Sequence, residues 1–110
     1  MKEWSDIVIL EKNALRDHIQ LAAKELDAQE AWLFGSYASD EAGNDSDVDV
    51  LFVLESKLPR PKRMAQAYRV MRSWKVAKDI VVYTPEEFAH WRKIEGSLCY
   101  NIVQKGVRYV

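Results

Sequence analysis

The sequence has few of the residues from which disulfide frameworks and thiolate or imidazole metal sites are built. Cys99 is the single cysteine among 110 residues, and there are two histidines. One cysteine cannot form an intramolecular disulfide, so we expect Cys99 to be a small buried hydrophobic residue. No apolar run approaches the roughly 18 residues of a membrane span, and the N-terminus lacks the pattern of a signal peptide. We therefore expect a cytoplasmic protein without a membrane partner.

The composition is typical of a single ordered domain with an uneven distribution of charge. Hydrophobic residues make up 48% of the chain, which is enough for one core and predicts one domain over residues 1–110. The net charge of −1 hides thirteen acidic and four basic residues in the first 55, against four acidic and twelve basic in the rest. Residues 57 to 78 contain eight bases and no acid. This run is either a face that binds phosphate or an acidic partner, or a solvated helix face.

Hydrophobic periodicity predicts an alternating order of helices and strands. Apolar residues at helical spacing predict an amphipathic helix over residues 5 to 27. Three apolar runs rich in β-branched and aromatic residues predict strands over residues 31 to 36, 47 to 54 and 78 to 84. An α/β (α+β) architecture follows, with three to four strands in a small mixed sheet and about four helices around it.

Two further helices are predicted on the C-terminal side of the second strand. Pro59 and Pro61 precede a helix whose apolar residues recur at spacings of three and four. Thr84 and Glu87 form a predicted capping box, so the next helix begins at Pro85. We expect this helix to be interrupted near residue 96, to resume to residue 104 and to be followed by a short strand. The core-facing residues of the helix after Pro61 are Met64, Ala67, Tyr68, Met71 and Trp74.

Three aspartates lie where two of the predicted strands begin. Asp47 and Asp49 point to the same side of a strand, roughly 7 Å apart, because side chains alternate with a period of two. Two carboxylates at this spacing repel each other unless a cation lies between them, and hard divalent ions such as Mg²⁺ prefer carboxylate oxygens. Asp79 joins them if the third strand lies beside the second. Three carboxylates around two ions can stabilise both the attacking and the leaving oxygens in phosphoryl transfer.

A calcium loop is a rival explanation for the alternating acids of "DSDVD". Counted from Asp45, the sixth residue is Val50 where such a loop needs glycine, and the twelfth is Ser56 where it needs glutamate. The calcium-loop interpretation therefore fails.

Gly35 and Ser36 end the strand that precedes the aspartates. A glycine lets the backbone approach a phosphate closely, and Ser36 offers both a hydroxyl and a backbone N–H. We expect this turn to lie opposite the carboxylates and to bind the phosphates of a nucleotide.

The stretch "GSYASDEAGNDSDVDVLFV" resembles the GSxAxGxAxxxSDxDL signature of the nucleotidyltransferase superfamily related to DNA polymerase β, and in particular its minimal, MNT-type members. The resemblance implies that Gly35 and Ser36 hold the nucleotide, and that Asp47, Asp49 and Asp79 are both catalytic residues and metal ligands. It also implies one or two Mg²⁺ ions, ATP or another nucleoside triphosphate as substrate, and transfer of a nucleoside monophosphate to a hydroxyl.

The same resemblance implies a partner. Small members of this superfamily are often encoded beside a helical HEPN-domain toxin, bind it, and inactivate it by adding AMP to a tyrosine. This chain is then expected to be an antitoxin, in a hetero-oligomer or as a homo-oligomer, and nucleic acid is not expected as a partner.

Two positions of the turn depart from the family pattern. Members usually carry Arg or Lys and then Gly after the alanine of the motif, where this chain has Ser39 and Asp40. A basic contact with phosphate is lost and an acid is gained. Either triphosphate binding is weaker than usual, or a base elsewhere compensates, for which Arg69 and Arg72 are the candidates.

Two other functions stay open at this point. The chain could be a nucleotidyltransferase-fold antitoxin with weak or no catalysis, which neutralises its partner by binding alone. The departures at Ser39 and Asp40 favour this alternative, and the three aspartates argue against it. Transfer to a small molecule such as an aminoglycoside is also open, although 110 residues leave little room for a second substrate-binding domain.

Overall fold

The computed structural model of the protein describes residues 11–43 and 45–110. Its elements in chain order are α1 (Lys12–Leu26), β1 (Glu30–Phe34), a 3-10 helix (Gly35–Tyr37), β2 (Val48–Val53), α2 (Arg60–Val70), β3 (Lys78–Tyr83), α3 (Pro85–Trp91), α4 (Leu98–Lys105) and β4 (Val107–Arg108). Residues 5 to 10 of the first predicted helix lie outside the described residues. The predicted strands differ from the observed ones by one or two residues at their ends. No helix within the described ranges has both the length and the apolar character needed to cross a membrane.

The four strands form one mixed sheet in the order β3-β2-β1-β4. β1 pairs antiparallel with β2 and with β4, whereas β2 and β3 are parallel. A parallel pair requires a crossover connection, and α2 provides it. The predicted fold class, a small mixed sheet flanked by four helices, is confirmed.

Helices cover both faces of the sheet. Successive side chains of a strand point to opposite faces, so the strands contribute buried residues to two cores. α1 and α2 pack on one face, where Val50 and Phe52 of β2 and Ile80 of β3 are fully buried. α3 and α4 pack on the other face, against Trp32 and Leu51. Cys99 belongs to this second core with 1% of its surface exposed, as its predicted role requires.

α2 begins at Arg60, one residue before Pro61, so the two prolines lie at its start and do not break it. Pro59 is the N-cap residue, and Pro61 lies in the first turn, where a backbone N–H has no partner within the helix. The predicted apolar stripe faces the core. Ala67, Met71 and Trp74 are buried, while Met64 and Tyr68 are partly buried against the same core.

A partly buried ion pair joins α2 to the start of α3. The Arg63 guanidinium donates to both carboxylate oxygens of Glu87, at 2.8 and 3.1 Å, and its Nε donates to the carbonyl oxygen of Leu58 at 2.9 Å. Glu87 also closes the predicted capping box with Thr84. Hydrogen bonding to Arg63 lowers the pKa of Glu87 to about 2. One base of the run over residues 57 to 78 is therefore buried and paired, so the run is not a single open face.

Candidate active site

Asp49 and Asp79 lie side by side on the two parallel strands of the sheet. The register of β2 and β3 pairs the two residues directly, and neighbouring strands are about 4.8 Å apart. The residues that follow them, Val50 and Ile80, are buried on the face that α1 and α2 cover. Because side chains alternate along a strand, both carboxylates point to the opposite face, which α3 and α4 cover. The condition under which Asp79 joins the pair, namely that the third strand lies beside the second, is therefore met.

The carboxylates remain accessible because α3 and α4 cover only part of their face. These helices pack against Trp32, Leu51 and Val53, which lie toward the other end of the strands. Asp79 is exposed and Asp49 is partly buried. An acidic pair is thus displayed at an open end of the sheet.

Asp47 precedes β2 by one residue and adds its charge to the pair. Burial raises the pKa of Asp49 to about 6, and the negative charges of Asp79 and Asp47 contribute to the same shift. No lysine or arginine within residues 11–43 and 45–110 forms a salt bridge with any of the three. The site therefore carries negative charge that no neighbouring cation balances in this part of the chain.

The Gly35 turn brings the backbone against the carboxylate of Asp49. Gly35 has a φ of 75°, in the left-handed region that glycine adopts without steric cost. A Cβ atom added at this position would overlap the Asp49 Oδ2 atom and would lie 3.0 Å from Asp49 Cγ. β1 therefore ends at Phe34, two residues earlier than predicted, and Ser36 lies in the 3-10 helix that follows. The turn and the Asp49 carboxylate therefore lie beside each other.

The two departures from the family pattern have a local structural account. Asp40 has a φ of 63°, which explains why glycine is usual at this position. Its carboxylate is 3.0 Å from Lys12 Nζ, in a pair whose side chains are both more than half exposed. The hydroxyl of Ser39 donates to Glu41 Oε1 at 2.8 Å. The turn thus presents acids and hydroxyls where a base is usual.

A cavity of about 330 Å³ lies between this turn and α4, and we call it the α4 cavity. Neither Arg69 nor Arg72 is among its lining residues, whereas Lys105 at the end of α4 is. No sequence motif marks the residues that α4 contributes to this cavity. The sequence indicates only that they lie on a helix before the last strand, β4, which pairs with β1. The lining residues are Phe34, Gly35, Ser36, Ser39, Glu41, Leu98, Asn101, Ile102, Lys105 and Gly106.

Tyr68 of α2 positions Asp79 from the open edge of the sheet. Its hydroxyl donates to Asp79 Oδ1 at 3.3 Å and accepts the backbone N–H of Ile80 at 2.9 Å. Because β3 is an edge strand, this N–H has no strand partner on that side. Helical periodicity predicts Tyr68 only as a residue of the core stripe, because its polar contacts depend on how α2 crosses β3.

The donor chemistry of the three aspartates fits Mg²⁺. Carboxylate oxygens are the ligands this ion prefers, and it usually keeps several waters while using one or two protein carboxylates. No three acidic, histidine or cysteine side chains in the described part of the chain converge closely enough to hold an ion as they stand. A metal bound by one or two of the aspartates, completed by water and substrate phosphate, is the arrangement that these positions fit.

Comparisons with known proteins agree with this architecture. The family model described as polymerase beta, nucleotidyltransferase matches residues 16–109. The crystal structure of a candidate nucleotidyltransferase from Sulfolobus solfataricus aligns with a TM-score of 0.59 and 19% sequence identity, covering 87% of this chain and 76% of that one. At this identity the similarity is one of fold. No curated protein matches the sequence significantly.

Proposed function

The chain belongs to the polymerase β nucleotidyltransferase family, and from this premise we propose that it transfers AMP from Mg·ATP to a hydroxyl group of a partner protein. The acceptor we propose is a tyrosine of a helical HEPN-domain toxin, which makes the chain the antitoxin of the pair. The family membership supports nucleotidyl transfer in general. The acceptor and the nucleotide are inferred from the resemblance of residues 35 to 53 to minimal nucleotidyltransferases.

One observation carries the catalytic part of the proposal, namely the direct pairing of Asp49 with Asp79 beside the Gly35 turn. A strand register that sets two carboxylates next to each other is costly, because their negative charges repel each other. Burial and these charges raise the pKa of Asp49 to about 6. A divalent cation removes this cost, and a protein that only binds a partner has no use for the arrangement.

The proposed reaction needs positioning and charge stabilisation but no nucleophilic side chain. The acceptor oxygen bonds to the α-phosphorus, the bond from that phosphorus to the bridging oxygen of the β-phosphate breaks, and pyrophosphate leaves with the electron pair. Asp79 accepts the proton of the acceptor hydroxyl, and Tyr68 holds Asp79 in place. Gly35 and Ser36 hold the phosphates. Mg²⁺ held by one or two of Asp47, Asp49 and Asp79, together with water and substrate phosphate, would neutralise the charge that develops on the phosphate oxygens.

The test is transfer of label from α-labelled ATP to the protein encoded beside this chain. The purified pair is incubated with Mg²⁺, and labelling is compared with that by Asp47→Asn and by the matched control Asp45→Asn. Asp45 is an exposed acid of the same loop, two residues before Asp47. We expect labelling to fall about a hundredfold or more in Asp47→Asn, in line with loss of charge stabilisation at a reacting phosphate, and to persist in Asp45→Asn. Equal labelling in all three proteins would overturn the proposal.

A second candidate function, neutralisation by binding alone, is favoured by an exposed apolar segment. Trp91, Ile94 and Leu98 are each at least 40% exposed on the α3 and α4 side. Large exposed apolar side chains close together mark surfaces for protein partners. Under this alternative the neighbour binds tightly but stays unlabelled, and Asp47→Asn neutralises it as well as the wild type does.

A further inference from the structure

The turn that resembles a phosphate-binding motif has no basic residue of its own. Residues 35 to 45 contain four hydroxyl or amide side chains and the acids Asp40, Glu41 and Asp45. A triphosphate brought to this turn meets negative charge, and the donors that the turn offers are neutral, namely backbone N–H groups and side chains such as the Ser36 hydroxyl. Phosphate sites in proteins normally add a lysine or arginine, because charge-assisted hydrogen bonds are about twice as strong as neutral ones.

Lys105 lies across the α4 cavity from this turn. Among the ten described residues that line the cavity it is the one with a basic side chain, and it is exposed. Phe34, Leu98 and Ile102 supply apolar wall to the same cavity. A cation beside apolar walls is screened less by water than one on an open surface, so its attraction for an anion is stronger.

Close packing at the end of α4 fixes where Lys105 lies. The N–H of Gly106 donates to the Ile102 carbonyl oxygen at 2.6 Å, and a Cβ added at Gly106 would lie 2.9 Å from the carbonyl oxygen of Leu33. Leu33 is two residues before Gly35. The glycine after Lys105 therefore lets the helix end pack directly against the strand that leads into the turn, and the pairing of Leu33 with Val107 holds it there.

Arg69 and Arg72, the bases considered from the sequence, belong to a different part of the fold. Arg69 lies in α2 and Arg72 just after it, and α2 packs on the sheet face opposite to the one that Asp49 faces. The α4 cavity opens on the Asp49 side, since Phe34 pairs with Asp49 in the register of β1 and β2.

We propose that Lys105 is the phosphate-binding base of this protein and replaces the Arg or Lys that the turn lacks. This inference rests on the proposed function, because it assigns Lys105 to the distal phosphates of the nucleoside triphosphate whose α-phosphate reacts at the aspartates. The ammonium group donates hydrogen bonds to phosphate oxygens on the side opposite the Ser36 hydroxyl. Lys105 is a binding residue on this account and takes no part in proton transfer.

The experiment measures the dissociation constants of Mg·ATP and of Mg·tripolyphosphate by isothermal titration calorimetry. The variants are Lys105→Met, Lys105→Arg and the matched control Lys24→Met. Lys24 is also an exposed lysine in the last turn of a helix, but its helix, α1, packs on the other face of the sheet. Both lysine-to-methionine changes remove the same favourable interaction with a helix C-terminus, so the comparison isolates the contact with phosphate.

We expect Lys105→Met to weaken both ligands about tenfold or more, equivalent to about 1.4 kcal/mol or more. Lys105→Arg should recover most of the affinity, and Lys24→Met should leave it unchanged. The affinity of the wild type should also fall more steeply with added salt than that of Lys105→Met. In the labelling assay Lys105→Met should raise the KM for ATP with a smaller change in kcat.

The outcomes separate this inference from the proposed function. If the wild type binds both ligands and labels its neighbour while Lys105→Met binds them equally well, the role of Lys105 is overturned and the catalytic proposal stands. If Lys105→Met loses affinity for both ligands but no labelling occurs with any protein, Lys105 is a phosphate-binding residue and the transfer proposal fails. If the wild type binds neither ligand, both are overturned.

Discussion

Replacing Gly35 by alanine tests whether the turn and the Asp49 carboxylate form one site. The added Cβ has two separate costs. Gly35 has a φ of 75°, and a left-handed conformation costs a residue with a Cβ about 1–2 kcal/mol. The Cβ would also overlap Asp49 Oδ2, so the carboxylate has to move away from the turn.

Gly96 provides the control that separates these costs. It has a φ of 89°, and a Cβ added there would have no atom within 4 Å. Gly96→Ala therefore carries the backbone cost alone. We expect it to lower the free energy of unfolding by about 1 kcal/mol, or the Tm by about 4 °C for a chain of this length, and to leave labelling unchanged at 25 °C.

Gly35→Ala should lose more stability and nearly all activity. We expect the free energy of unfolding to fall by about 2 kcal/mol, from the backbone cost and the displaced carboxylate together. Thermal unfolding followed by circular dichroism gives the Tm, and the labelling assay is run below it. A displaced Asp49 should also raise the Mg²⁺ concentration needed for half-maximal labelling. If Gly35→Ala labels the partner as well as the wild type does, the close approach of the turn to the Asp49 carboxylate is not required for activity.

Two further predictions concern the stability of the surrounding fold. Because the pKa of Glu87 is lowered from 4.5 to about 2, its pair with Arg63 stabilises the protein above pH 4.5, and this contribution is lost as the pH falls toward 2. After discounting for the 33% exposure of the Glu87 side chain, we expect Glu87→Gln to be about 1–2 kcal/mol less stable than the wild type at pH 7. Urea unfolding measures this difference, which should shrink by pH 3. A difference in stability that does not depend on pH would contradict the lowered pKa of Glu87. Because Asp40 is left-handed with an exposed carboxylate, Asp40→Ala should lower the free energy of unfolding by about 1 kcal/mol while Asp40→Gly stays within about 0.5 kcal/mol of the wild type. Equal Tm values for the alanine and glycine variants would count against the backbone explanation.

The sequence was sufficient to predict the helices and strands, because local signals determine them. Alternating and helical spacings of apolar residues marked the strands and helices, and Thr84, Pro85 and Glu87 marked the start of α3 within a capping box that the structure contains. The same local pattern placed Asp47 and Asp49 at the entrance of β2. The start of the first predicted helix, which lies outside the described residues, and the extent of the domain stay predictions, and so do the nucleotide, the metal and the partner.

Only the tertiary structure decided which distant residues share the site. The register of β2 and β3 set Asp79 beside Asp49, which the sequence allowed only as a condition on strand order. The return of α4 to β1 brought Lys105 to the Gly35 turn, about seventy residues away in the chain, and the crossing of α2 over the edge of β3 brought Tyr68 to Asp79. Periodicity records which face of an element is buried, but it carries no information on which elements become neighbours, because that depends on packing between residues far apart in the sequence.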